Sequence, residues 1–348
     1  MDFASDNVYG VDAAIMEAMA RANTGTAASY AGDEITARVE KQFNEVFERE
    51  VKVFLLTTGT AANCLALSTM VPPYGAIFCH GFAHISADEC GAPEFFTGGA
   101  KLMGLDGVAG KITPKMVKDS LAGFIRAEHD PKPAAISITQ SSELGTVYSL
   151  DEVQAFGELA RAKNLRLHMD GARFANALVS LDCSPAEMTW QAGVDALSFG
   201  ATKNGAMMVE AVVFFDDKLA VDFEHRRMRA GQLLSKNRFL AAQMEAYLSN
   251  DLWLNNARHA NEMAARLAGG LSAANDIRLG VDCQANEVFA IMPRATHDVL
   301  AKSDAVFHPW LASGSDTDTV GNDEIMIRLV TSFQTTRDDV DAFVNLVG

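Results

Sequence analysis

This sequence predicts an α/β fold: a large domain on a mostly parallel sheet flanked by helices, with a smaller C-terminal α/β domain. Three observations predict it. Up to about Tyr247, short β-rich runs alternate with longer helical stretches. Those runs are nearly continuously apolar, the pattern of strands covered on both faces. Beyond Tyr247 the texture changes to a long Ala-rich amphipathic stretch and then shorter alternating segments, which divides the chain into 1–248 and 249–348.

Taken in order, Val51 to Leu56 reads as the first strand, and Gly59-Thr60-Ala61-Ala62-Asn63 opens a helix through a glycine turn. Further strands are expected at Ala76 to Cys79, Ala134 to Thr139, Leu165 to Met169, Asp195 to Phe199 and Glu210 to Phe215. Ser149 and Glu152 form a capping-box pair. Val153, Phe156, Leu159 and Ala160 then recur at helical spacing until Lys163-Asn164 closes the segment. The second domain holds a helix at roughly 249–275 and alternating segments near 283–292 and 324–331, with Ala312 to Asp318 as a surface loop.

Composition narrows the function classes. A chain of 348 residues, 49% hydrophobic, can bury a large core. A net charge of −16 with 29 basic residues argues against a nucleic-acid surface, which needs clustered positive charge. The five cysteines are widely spaced without a Cys-x-x-Cys pair, so neither a disulfide framework nor a metal site is expected. The first residues lack a basic segment followed by an apolar one, and no run is long enough to span a bilayer, so a soluble cytoplasmic protein is expected.

The chemistry concentrates at two strand ends. Lys203 follows the run Leu197-Ser198-Phe199-Gly200 among small residues, and Asp170 ends Leu167-His168-Met169. An amine can hold an aldehyde cofactor as a Schiff base, and a carboxylate can keep a pyridinium nitrogen protonated so that the ring accepts carbanion electrons. The pair therefore reads as a pyridoxal 5'-phosphate site. Thr57-Thr58-Gly59-Thr60 supplies hydroxyls, close backbone approach and a helix N-terminus for the phosphate. A dinucleotide fold would need Gly-x-Gly-x-x-Gly after the first strand; Gly104, Gly107 and Gly110 are spaced by three instead.

His168-Met169-Asp170-Gly171-Ala172-Arg173-Phe174, the segment ending at Lys203, Thr58 to Asn63 and Ala4-Ser5-Asp6-Asn7 together resemble the low-specificity L-threonine aldolase family, in the right order along nearly the whole chain. The resemblance implies a fold-type I pyridoxal-phosphate enzyme. Such enzymes cleave β-hydroxy-α-amino acids to glycine and an aldehyde, as a homo-oligomer, a dimer of dimers with shared active sites. It implies Lys203 as the Schiff-base lysine, Asp170 at the pyridine nitrogen, Arg173 near the phenolic oxygen, and Gly59 and Thr60 at the phosphate. It further implies His84 stacked on the ring and serving as base or water-positioning group, Arg328 at the substrate carboxylate and Ser5 on the substrate side. Lys236 would reach a phosphate across a dimer interface.

From the residues alone plainer uses stay open. Asp170 also suits a helix N-cap, Arg173 a surface ion pair, His84 an ordinary loop position and Arg328 a buried ion pair; His168, inside a strand, reads as structural. One departure stands out: several family members carry a histidine in the loop after the strand equivalent to Ile136 to Thr139, where this chain has Gln140-Ser141-Ser142-Glu143-Leu144-Gly145-Thr146. Glu143 either substitutes as a hydrogen-bonding group or shapes the loop. A β-eliminating lyase acting on an aromatic or sulfur amino acid would share every cofactor residue. A non-catalytic cofactor-binding protein is the more distant alternative, weakened by the lack of a helix-turn-helix extension or basic arm.

Overall fold

The computed structural model describes residues 1–310 and 320–347; the loop expected at 312–318 lies outside the described residues. Seven strands form the large sheet: β1 (Lys52–Leu56), β2 (Gly75–His80), β3 (Lys101–Leu105), β4 (Lys132–Thr139), β5 (Arg166–Gly171), β6 (Ala196–Gly200) and β7 (Glu210–Phe214). Their order is β1-β7-β6-β5-β4-β2-β3. All neighbours pair in parallel except at β7, which runs antiparallel to both β1 and β6.

All six expected strands are present, with ends shifted by at most two residues. The unanticipated one is β3, whose partly exposed Lys101-Leu102-Met103-Gly104-Leu105 lies at the sheet edge and lacks the continuous apolar signature of the inner strands.

The apolar runs are explained by two cores. In β1, β2, β6 and β7, alternate residues enter opposite clusters: Leu55, Phe78, Phe199 and Val213 face one side, and Leu56, Ile77, Ala196 and Val212 the other. A strand covered on both faces has no polar side to display. The helix Leu150–Lys163 covers one face, begun by the anticipated Ser149/Glu152 capping box and ended by Asn164 in the left-handed conformation.

The smaller sheet is antiparallel, in the order β10-β11-β9-β8, from β8 (Arg278–Leu279), β9 (Glu287–Pro293), β10 (His308–Trp310) and β11 (Glu324–Val330). The Ala-rich stretch is the helix Leu252–Ser272. Its first half packs Trp253 and Ala257 into the large core, and its second half packs Met263, Leu267 and Leu271 against the small sheet. Each such fully buried leucine contributes roughly 1.5–3 kcal/mol, so this helix joins the two cores.

The chain start is tied to the small sheet. Phe3 N–H donates to Val306 O and Val330 N–H to Phe3 O, both at 2.8 Å, and the buried Phe3 ring meets Phe343 edge-on. Asp6 and Asn7 are thereby held beside the ends of the large sheet's strands. Among the described residues no helix is long and apolar enough to cross a membrane.

Candidate active site

Where β4, β5 and β6 end, a cavity of about 240 Å³ opens, and six of the residues anticipated from sequence line it: Gly59, Thr60, His84, Asp170, Arg173 and Lys203. Asp170 is the penultimate residue of β5, where the chain begins to turn: Ala172 N–H donates to Oδ1 at 3.0 Å, while Asn63 Nδ2 donates to Oδ2 at 2.8 Å. The next helix, Phe174–Leu181, is preceded by Arg173, so Asp170 is not its cap. Lys203 sits on a single 3-10 turn, Thr202–Asn204, after β6. Gly205 ends that turn at φ +119, where a side chain would be strained and would press on Asn256.

At one end of the cavity begins the helix Gly59–Met70. Thr58 Oγ1 caps it by accepting Ala61 N–H at 3.1 Å. The first-turn amides of Gly59 and Thr60 lack intrahelical partners by geometry and present a partial positive charge. A Cβ built on Gly59 would meet nothing within 4 Å. The space beside these amides is open.

His84 begins the short helix His84–Ala87, and its Nδ1 lies 2.8 Å from Glu89 Oε1. Glu89 is buried and also accepts from Asn63 Nδ2 at 3.0 Å. Asn63 therefore links the His84–Glu89 pair to Asp170. The hydrogen bond to Glu89 is the main cause that raises the His84 pKa, against burial, with Asp170 and Glu143 adding to it. Sequence reasoning missed both Asn63 and Glu89. The signal available was a polar residue amid the apolar helix Gly59–Met70.

Arg173 is buried and held by acids: Nε and Nη2 donate to Asp6 Oδ2 and Oδ1 at 2.8 and 3.1 Å, and Nη1 lies 3.3 Å from Glu287 Oε2. Burial works against the guanidinium charge, but Asp6 and Glu287 outweigh it and its pKa is raised. Asp6 is lowered: burial would raise it, and the charges of Arg173 and Lys203 with the hydrogen bonds from Arg173 and Asn286 overcome that. Glu287 is raised by burial.

Two further carboxyls line the cavity. Glu210, at the start of β7, accepts Ala201 N–H at 2.8 Å and is pushed up to about 7 by burial. A charged residue heading an apolar strand was its only sequence signal. Glu143 is raised by burial, with Lys203 and Arg173 opposing.

Three anticipated residues lie outside the cavity lining. Ser5 is half-buried in the N-terminal segment, its Oγ accepting the N–H of Asn7, which does line the cavity. Arg328, on β11, donates to Ala4 O at 3.3 Å and lies over the Trp310 ring at 4.9 Å. It makes no ion pair among the described residues, and its Nε is buried without a partner. Lys236 is exposed just before the helix Arg238–Leu248. His168 is structural as expected: Nδ1 meets Ser137 Oγ at 2.9 Å and Nε2 meets Ser198 Oγ at 3.0 Å, and burial lowers it to about 4.

An amine, a buried carboxylate and a helix N-terminus around one cavity at the strand ends of this α/β fold are the features of an enzyme of the fold-type I class. The sequence profile of the beta-eliminating lyases matches residues 2–292. The low specificity L-threonine aldolases of Pseudomonas sp. and Pseudomonas aeruginosa are 42% and 43% identical over 312 residues, covering 90% of this chain and of each relative. The solved threonine aldolase of Leishmania major superposes with a TM-score of 0.92 at 29% identity, covering 99% of this chain and 98% of that one. The chain belongs to the beta-eliminating lyase family and, within it, stands with the low-specificity L-threonine aldolases.

Proposed function

We propose that this protein binds pyridoxal 5'-phosphate in the cavity and cleaves L-threonine, L-allo-threonine and related β-hydroxy-α-amino acids, such as phenylserine, to glycine and an aldehyde. The observation that carries the reading is the convergence of Lys203, Asp170 and the Gly59–Thr60 amides on one cavity. The residues fit the cofactor's three handles: a phosphate at the Gly59–Thr60 helix start, a ring nitrogen at Asp170, an aldehyde at Lys203. Once bound, pyridoxal phosphate supplies an electron-accepting ring conjugated to the amino acid's Cα, which is what lets a Cα–Cβ bond break.

The chain's own groups do the rest. Asp170, buried and oriented by Asn63 and Ala172, holds a proton on the nitrogen facing it. Arg173, its charge secured by Asp6 and Glu287, offers positive charge toward the ring's phenolic oxygen. His84, held at Nδ1 by Glu89, lines the same cavity and would pack against the ring, leaving its other nitrogen for substrate or water. Arg328 and Ser5 serve the substrate carboxylate side. The Nε of Arg328 that lacks a partner supports this. Lys236 reaches a phosphate of the partner subunit in a dimer of dimers, and its exposure is compatible with that role. In this reading residues 1–248 form the cofactor domain and 249–348 the small domain, and the protein is cytoplasmic, in keeping with its free cysteines.

Purified protein given L-threonine, L-allo-threonine and L-phenylserine should release equal amounts of glycine and aldehyde. Release of a keto acid with ammonia would instead support a β-eliminating lyase.

A further inference from the structure

We propose that Glu143 is the proton acceptor for the substrate's β-hydroxyl, a reading that rests on the aldolase function above. The carboxyl lines the cavity, yet makes no hydrogen bond or ion pair among the described residues. The other acids of the site are already committed: Asp170 to Asn63 and Ala172, Glu210 to Ala201, Glu89 to His84 and Asn63. Among the described residues lining the cavity, Glu143 is the carboxyl with neither oxygen in a hydrogen bond.

Its loop is built to hold it there. Gln140 and Tyr148 exchange two hydrogen bonds, Nε2 to O at 2.7 Å and N–H to Oε1 at 2.9 Å. Ser142 N–H donates to Thr146 O at 2.8 Å, and Thr146 Oγ1 to Ala109 O at 2.6 Å. Leu144 is buried with Phe289 and Met326, and Gly145 turns at φ +70 against the Glu287 backbone. With both neighbours anchored, the Glu143 carboxyl needs no substrate-driven ordering.

The step balances without a co-reactant. Glu143 takes the hydroxyl proton, the O–H electron pair becomes the second bond of the aldehyde C=O, and the Cα–Cβ pair stays with the amino-acid fragment. That fragment then gains one proton at Cα to give glycine. Lys203, Arg173 and His84 face Glu143 with positive charge, and Asp170 and Glu287 with negative charge. Burial outweighs them and raises its pKa, so the acceptor form, and with it the rate, grows as pH rises through that raised value. His84 is the rival acceptor, but Glu89 at its Nδ1 favours the protonated ring.

The test compares Glu143→Gln, Glu143→Asp and His84→Asn holoenzymes with the parent, reading kcat against pH, the Kd for glycine, which has no β-hydroxyl, and carboxyl bands in infrared difference spectra. Glu143→Gln should lower kcat by about 10²–10⁴-fold with the Kd for glycine within about threefold. It should abolish the acidic limb and delete a titrating carboxyl band, Glu143→Asp should recover part of kcat, and His84→Asn should keep the limb. Near-parent kcat or an intact acidic limb in Glu143→Gln overturns the proposal. So does joint loss of kcat and glycine binding unrelieved by aspartate, which would make Glu143 a loop-shaping residue. A parent that yields keto acid and ammonia fails the aldolase reading itself, whatever the variants do, and overturns this assignment with it.

Discussion

The two sides of the cavity are made in different ways. On the strand-end side, Asp170 and Lys203 are placed by the ends of β5 and β6 and the turns that follow them, with Asn63 adding one contact to Asp170 from outside. The other side of the contrast is Arg173, three residues beyond Asp170, which is held by Asp6 and Glu287 from the chain start and from β9 of the small sheet. The first side is set by local backbone geometry. The second needs the N-terminal segment and the small sheet both in place. The contrast teaches that chemistry can be placed locally while charge balance is placed globally.

The largest expected effect breaks the local side. Asp170→Asn keeps the shape and the Ala172 turn but cannot hold a proton on a facing ring nitrogen, so kcat should fall on the order of 10³-fold or more, with a smaller loss of cofactor affinity. Steady-state kinetics beside cofactor titration separate the two. Near-normal turnover would reduce Asp170 to a structural turn residue.

Next comes the distant side. Asp6→Asn leaves Arg173 with Glu287 alone and should cost roughly 3 kcal/mol of stability, because one partner of a buried pair is removed. The pH dependence has a definite sign. Since Asp6 is lowered from 3.8, its stabilisation is complete above that value and is lost as pH falls through the lower folded value. Unfolding midpoints measured against pH should show this acid-side loss in the parent and less of it in the variant. A variant as stable as the parent at neutral pH would mean that the N-terminal segment docks without this pair.

A third change tests the Asn63–Glu89 link between the cofactor carboxylate and His84. Glu89→Gln should bring the raised His84 pKa back toward 6.5, followed by NMR of the imidazole. The raised value means that the pair's stabilisation is present below 6.5 and fades as pH rises through the folded value. A drop of about tenfold in kcat is expected alongside. An unmoved His84 titration would show that Glu89 does not control it.

The smallest effect belongs to neither side. Lys236→Ala should weaken cofactor binding by about tenfold if the exposed amine meets a partner subunit's phosphate, the worth of one charge-assisted contact. Spectrophotometric cofactor titration decides it, and unchanged affinity would leave Lys236 an ordinary surface lysine.

What the sequence by itself determined was the strand-end half of the molecule. The apolar runs of β1, β2 and β4–β7, the capping box at Ser149 and the positions of Asp170 and Lys203 each show within a few consecutive residues, because two-sided burial, a cap and a strand end all mark adjacent positions. The edge strand β3 escaped because a half-exposed strand has no continuous apolar run to announce it. Only the tertiary structure decided the partners of Arg173, the tie between Phe3 and the small sheet, and the Asn63 link from Asp170 to Glu89. The physical reason is separation along the chain. A buried charge needs opposite charge nearby in space but not in sequence, so Asp6 and Glu287 can sit far from Arg173, and neither position carries a local mark of the partner it will meet.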